Sequence, residues 1–154
     1  MRYSCSVFAV KDISATRAFY AELFGLKLVS DYGRNIAFEN GLAFQQDFDW
    51  LTGVPVQDII PCPKNCELCF ETESFGHFVT KLKARQDISM LHDVLTHSWG
   101  QHVIRFYDPD GHIIEVGESM KSVVDRFLSQ GKTIAEIAKI MDVTDSDVNL
   151  MLSE

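Results

Sequence analysis

The chain has 154 residues, 46% of them apolar and 23% charged, with a formal charge of −8. That length builds one domain with a real core and room for a small appendage. No apolar run reaches the ~18 residues of a membrane span, and the acidic balance argues against a grip on nucleic-acid phosphates, which calls for clustered Lys and Arg. The opening MRYSCSVFAVKD lacks the basic-then-apolar layout of a secretion signal. Four cysteines without such a signal fit a reducing compartment. The expectation is a cytoplasmic protein acting on a small molecule.

In chain order, SCSVFAV alternates apolar with small or polar residues and predicts a strand. DISATRAFYAELFG follows as a helix, with Ser14 as the expected cap of its first turn and Gly25 as its left-handed end. LKLVSD, NIAFEN and LAFQQD read as three short strands separated by polar and glycine turns. The second half repeats this order: CELCFETE as a strand, SFGHFVTKLKARQ as a helix, then ISMLHDVL, GQHVIRFYD and HIIEVGE as strands. The predicted fold class is α+β: paired βαβββ modules, about 1–48 and 64–118, forming a curled mixed sheet around one cavity, with a helical appendage over 119–154. Superposing the halves sets Cys5, seven residues before Asp12, on Glu67, seven before Ser74. Gln45, four after Gly41, falls on Glu115, four after Gly111. A pseudo-twofold pairing of the copies would bring Cys5, Gln45, Glu67 and Glu115 together.

The passages FAVKDISATRAFYAELFGLKL and SWGQHVIRFYDPDGHIIEVGE resemble the vicinal oxygen chelate superfamily. That group includes glyoxalase I, bleomycin-resistance proteins, fosfomycin-modifying enzymes and extradiol dioxygenases. The resemblance covers residues 1 to about 118. It implies paired modules around a cavity, often with a divalent metal at its floor. It also implies ligands at the positions of Cys5, Gln45, Glu67 and Glu115, of which only Glu115 keeps the residue type of metal-dependent glyoxalases. A thiolate, an amide oxygen and two carboxylates are still competent donors. The ion could be zinc, nickel or manganese, which these donors do not distinguish.

Alternate strand residues share a face. Ile114 and Val116, Ile104 and Phe106, and Leu68 and Phe70 are assigned to the helix side. Glu115, Arg105, Glu67 and Cys69 then face the cavity, and Cys66 faces away. The run PCPKNCELCF is therefore a loop and a strand. It is not a zinc knot, because its thiols diverge and no second pair exists; Cys62 and Cys66 are ordinary thiols. Two carboxylates brought together need a metal, a proton on one of them, or neutralisation by Arg105. Glu67 and Glu115 are the candidate catalytic bases, moving a proton between adjacent carbons. Arg105, Trp99 and Cys69 are the candidate substrate-binding residues. Arg105 would either fork onto a substrate anion or form an internal salt bridge. Phe48, Asp49 and Trp50 are weaker candidates for an aromatic wall. His77, His92, His97, His102 and His112 miss the converging positions and are expected at the surface or behind the site, with His102 on the helix side. DPDG, 108–111, is a tight turn that places Glu115.

From Ser119 the pattern is helical: SVVDRFLSQ, TIAEIAKIM and DSDVNLML, with Thr133 and Thr144 as caps. The last two resemble the helix-turn-helix of DNA-binding regulators. Against that use, Lys121, Arg126, Lys132 and Lys139 meet Asp125, Glu136, Asp142, Asp145, Asp147 and Glu154, a balance of −2. Acidic residues also open the would-be recognition helix. A tail folded onto the domain or a second subunit is the preferred use. The functional expectation is metal-assisted lyase, isomerase or transferase chemistry on a vicinally oxygenated small molecule, in a homodimer. A non-catalytic ligand-binding protein is the alternative, and a ligand-sensing regulator ranks behind both.

Overall fold

The computed structural model describes residues 1–61 and 64–153; Cys62 lies outside the described residues. The strands and long helices follow the predicted order. β1 (Ser6–Val10), α1 (Ile13–Phe24), β2 (Leu28–Asp31), β3 (Asn35–Phe38) and β4 (Leu42–Gln46) form the first module. A short helix α2 (Phe48–Thr52) and a 3₁₀ turn (Val56–Asp58), neither anticipated, follow it. The second module is β5 (Glu67–Thr72), α3 (Phe75–Lys83), β6 (Met90–Thr96), β7 (His102–Tyr107) and β8 (Ile113–Glu118). Helices α4 (Met120–Ser129), α5 (Ile134–Met141) and α6 (Asp145–Met151) end the chain. Among the described residues no helix is long and apolar enough to cross a membrane.

Each module makes a four-stranded mixed sheet, ordered β1-β4-β3-β2 in one and β5-β8-β7-β6 in the other. The first and last strands of each module pair in parallel, and the other pairings are antiparallel. Two compact units result: Met1–Cys66 with Asp108–His112, and Glu67–Tyr107 with Ile113–Glu154.

In the first unit, α1 buries Ile13, Thr16, Phe19, Tyr20 and Leu23. The Tyr20 ring lies 4.6 Å from Phe44 and 6.0 Å from Phe38. Each such large side chain, taken fully out of water, stabilises the fold by roughly 1.5–3 kcal/mol. Asp12, and not Ser14, caps α1: its carboxylate accepts from Ser14 N and Ala15 N. Asp12 stands just outside the helix, where a side-chain oxygen can reach back to the unpaired amides, whereas Ser14 is already in the first turn. Gly25 ends α1 at φ 69°, as its position predicts.

The DPDG turn belongs to this unit and is more than a turn. Asp108 accepts hydrogen bonds from Tyr20 Oη (3.0 Å), from His112 N (2.8 Å) and from Asp110 N (3.0 Å). His112 Nδ1 lies 2.8 Å from its Oδ2. His112 is thus buried, with its ring edge-on to Phe8 at 5.5 Å; of the two places expected for it, at the surface or behind the site, it is not at the surface. The turn satisfies polar groups inside a core, which period-2 reasoning about strands does not register. Burial and then the Asp108 charge push the Tyr20 phenol far above its ordinary range, and burial raises Asp110.

In the second unit, α3 covers the sheet face carrying His102 and Phe106, with Phe75 6.4 Å from His102 and Phe78 6.2 Å from Phe106. The helical appendage has its own apolar cluster: Val123, Val124, Phe127, Ile137, Ala138, Met141 and Val148. Capping boxes open α5 and α6, Thr133 with Glu136 and Thr144 with Asp147. The two threonine caps are where the sequence pattern puts them.

Candidate functional site

Strand register in the second unit lays four side chains in one row. Cys69 on β5 is opposite Glu115 on β8, Glu115 is opposite Arg105 on β7, and Arg105 is opposite His92 on β6. Glu67 stands two residues before Cys69 and so shares its face. The facing derived from alternation places these residues together. One ligand atom each from Glu67, Cys69 and Glu115 lies within 4.8 Å of the others.

Arg105 joins the acids. Its Nε donates to Glu67 Oε2 at 2.8 Å, its Nη2 forms an ion pair with Glu115 Oε2, and its Nη1 lies 3.5 Å from His92 Nε2. This is the internal salt bridge of the two roles weighed for Arg105. The hydrogen bond from Arg105 holds the Glu67 carboxyl below its usual range, so it is ionised at neutral pH. The same bond raises Arg105. Cys69 is exposed as a residue, but its thiol sits against two carboxylates. Partial desolvation and then the Glu67 charge push it up to about 11, so it stays a thiol at neutral pH and can donate a hydrogen bond to Glu67. Glu115 Oε2 is shielded from solvent and accepts no hydrogen bond of normal geometry. Its polar neighbours are Arg105 Nη2 and, at 3.9 Å, His97 Nε2.

His97, expected only at the surface or behind the site, comes within 3.9 Å of Glu115. Its ring stacks on Trp99 with centroids 4.1 Å apart and planes 12° off parallel. Trp99 was a candidate substrate-binding residue, but His97 and Trp99 stand on a tight turn after β6, where the two-residue period of a strand does not relate them. His92 approaches Arg105 as well. His77 is exposed, and His102 lies on the helix side, its Nδ1 2.8 Å from Thr96 Oγ1.

Cys5 and Gln45 belong to the first unit, where they do not meet. Ala9 is opposite Gln45 and Ser6 is opposite Leu42. Cys5 therefore lies four ladder positions from Gln45, roughly 13 Å at ~3.3 Å per residue. The register also separates the two equivalences read from the repeat. With Gln45 matched to Glu115, Glu67 corresponds to Val7; with Cys5 matched to Glu67, Gln45 corresponds to Gly117. Counting from helix starts and counting from turn glycines differ by two residues. Gln45 is buried, with Oε1 accepting from Asn35 Nδ2 at 3.1 Å and Nε2 donating to Gln46 O at 2.5 Å.

The first unit also contains a cleft of about 640 Å³, lined in part by Phe8, Val10, Phe48, Val54, Ile59 and Asp49. Phe48 and Asp49 thus do line a cavity. Trp50 does not: it is 69% exposed, beneath Arg34.

The donor set fits a divalent cation. Two carboxylates and a thiol meet within coordination reach, and one carboxylate oxygen is buried without a normal hydrogen bond. Such an ion would compete with Arg105 for both acids and would displace the Cys69 proton if it took the sulfur.

The glyoxalase-like domain family matches residues 3–121. A crystal structure of a protein of unknown function from Agrobacterium tumefaciens is 32% identical, covering 77% of this chain and 94% of that one, with a TM-score of 0.67. A glyoxalase-related enzyme from Fulvimarina pelagi is 23% identical over 76% of this chain and 87% of its own, with a TM-score of 0.64. Lactoylglutathione lyase from Agrobacterium tumefaciens is 23% identical over 76% and 92%, with a TM-score of 0.59. At that identity the last two speak to the fold alone. No curated protein matches the chain. With the family match spanning both βαβββ modules, the chain belongs to the glyoxalase-like domain family of the vicinal oxygen chelate superfamily.

Proposed function

We propose that the protein is a small-molecule enzyme of the lyase or isomerase type, acting on a substrate with oxygens on neighbouring carbons. The observation that carries this is the meeting of Glu67, Cys69 and Glu115 beside the Arg105 guanidinium. Glu67, Cys69 and Glu115 would hold a divalent cation. When bound, it would supply Lewis-acid polarisation of the substrate oxygens. The wider set that adds Cys5 and Gln45 is not retained, because those two lie apart along their own sheet.

The chain's own residues supply the rest. Arg105 keeps Glu67 ionised, so a base is ready at neutral pH. Glu115, ion-paired through Oε2 to Arg105, would take a proton from a carbon beside a carbonyl and return it to the neighbour once the substrate shares the guanidinium. Trp99 with His97 forms a flat wall. A cytoplasmic homodimer completes the reading, checked by mass in solution.

The second reading is a protein that binds a small ligand without chemistry. It is favoured by Arg105 already spanning both acids, an arrangement that is electrostatically satisfied as it stands. Elemental analysis of protein purified without chelators separates the two. About one equivalent of transition metal, lost in Glu115→Ala, supports the enzyme. Metal-free protein that takes up none on dialysis against zinc, nickel or manganese leaves the binder.

A further inference from the structure

The family match ends at residue 121, in the first turn of α4, yet α4 grips the segment that carries His97 and Trp99. Arg126 Nη2 donates to Gly100 O at 2.6 Å and to Glu118 Oε2 at 2.8 Å. Phe127 lies over Gly100 so closely that a Cβ there would sit 2.3 Å from Cζ of its ring. The Gly100 backbone, at φ +92°, is also one that glycine adopts readily. Trp99 packs against the apolar cluster of the appendage. Its Nε1 donates to Gln101 Oε1 at 3.1 Å, and Gln101 Nε2 donates to Glu118 O at 2.8 Å. The turn closes on itself through His97 N to Gln101 O (2.9 Å) and Gly100 N to His97 O (2.8 Å). Every link from α4 to His97 is thus a named contact within one compact unit.

At the far end of this chain of contacts, His97 Nε2 stands 3.9 Å from Glu115 Oε2. That gap is too long for a direct hydrogen bond, but one oxygen can lie within ~2.8 Å of both atoms. A ligand hydroxyl fits it, donating to the carboxylate and accepting from the imidazole N–H.

We propose that the C-terminal appendage is a positioning element of the site: Arg126 and Phe127 on α4 fix the 97–101 turn, and Trp99 thereby holds His97 beside Glu115 to receive a ligand hydroxyl. The proposal rests on the reading of the Glu67–Glu115 cluster as the working site, but its geometry can be tested separately.

The first measurement is the NMR shift of the His97 ring protons at one fixed pH, assigned with His97→Gln. Stacking on Trp99 gives an upfield ring-current shift. It is expected in the wild type, lost in Arg126→Ala, and restored in part in Arg126→Lys, which keeps a donor but not the fork. Phe127→Leu, which keeps an apolar cover, provides a second variant if Arg126→Ala fails to fold. An unchanged His97 shift in folded Arg126→Ala or Phe127→Leu overturns the proposal. The second measurement is zinc affinity by equilibrium dialysis. A drop of roughly tenfold or more in both His97→Gln and Arg126→Ala supports it, the size seen when residues supporting a metal site are removed. An affinity unchanged in both variants overturns the part given to His97. If the wild type takes up no zinc while the ring-current shift still depends on Arg126, the metal reading of the cluster fails and the positioning stands.

Discussion

Replacing Arg105 by Met removes the one cation between Glu67 and Glu115 while keeping an unbranched apolar stem. The two carboxylates, with oxygens within 4.8 Å, then face each other without the guanidinium between them. At an effective dielectric constant of about 20, their repulsion is roughly 3.5 kcal/mol. The Glu67 side chain is 36% exposed and Glu115 14%. Water around Glu67 screens the pair, so only a fraction of that repulsion is expected to survive. The sign is testable. In the wild type Arg105 depresses Glu67, so its contribution to stability is complete above the ordinary carboxylate range and lost as pH falls through the depressed value. Between pH 5 and 7 Glu67 therefore gives no slope. In Arg105→Met one carboxylate is raised, the folded state takes up a proton before the unfolded state does, and stability climbs as pH falls from 7 to 5. Urea unfolding of both proteins at pH 5, 6 and 7 measures it. A deficit in the variant that is equal at all three pH values refutes the electrostatic account of the site.

Three further outcomes follow from the packing. Tyr20→Phe deletes a buried hydroxyl donating to Asp108 at 3.0 Å and should cost about 1.5–3 kcal/mol in urea unfolding, as for a hydrogen bond to a charged group. Gly100→Ala drives a methyl into the Phe127 ring and should destabilise by about 1–3 kcal/mol. The loss should shrink when Phe127→Leu is added, which a double-mutant cycle reads. Thr133→Ala removes the cap of α5 and should cost about 1 kcal/mol, seen as a lower Tm with the sheet signals of the NMR spectrum unmoved.

Much of the site could be read in advance, for a simple geometric reason. Glu67 with Cys69, and Arg105 and Glu115 across the sheet, lie on regular strands. There the two-residue period carries facing from one reference residue to the next. β6 is different. Its pairing with β7 slips between Met90 and His92 and again between His92 and Leu95, so counting by twos cannot follow a side chain along it. His97, just past the end of that strand, was set aside because it misses the four positions that the repeat equates. The Cys5–Gln45 pairing failed differently: helix starts and turn glycines are both sound landmarks, but the modules differ by two residues between them.

From sequence alone came the order of elements, the βαβββ repeat, the caps at Thr133 and Thr144, and the shared sheet face of four strand residues. All of these depend on neighbours a few positions away. Tertiary structure alone decided that Arg105 spans both acids, that Asp108 ties Tyr20 and His112 into one buried network, and that α4 braces the turn beneath Trp99. Several of those contacts join residues 26 to 88 positions apart along the chain, and others hang on where a ring lands after packing. Local periodicity has no term for either.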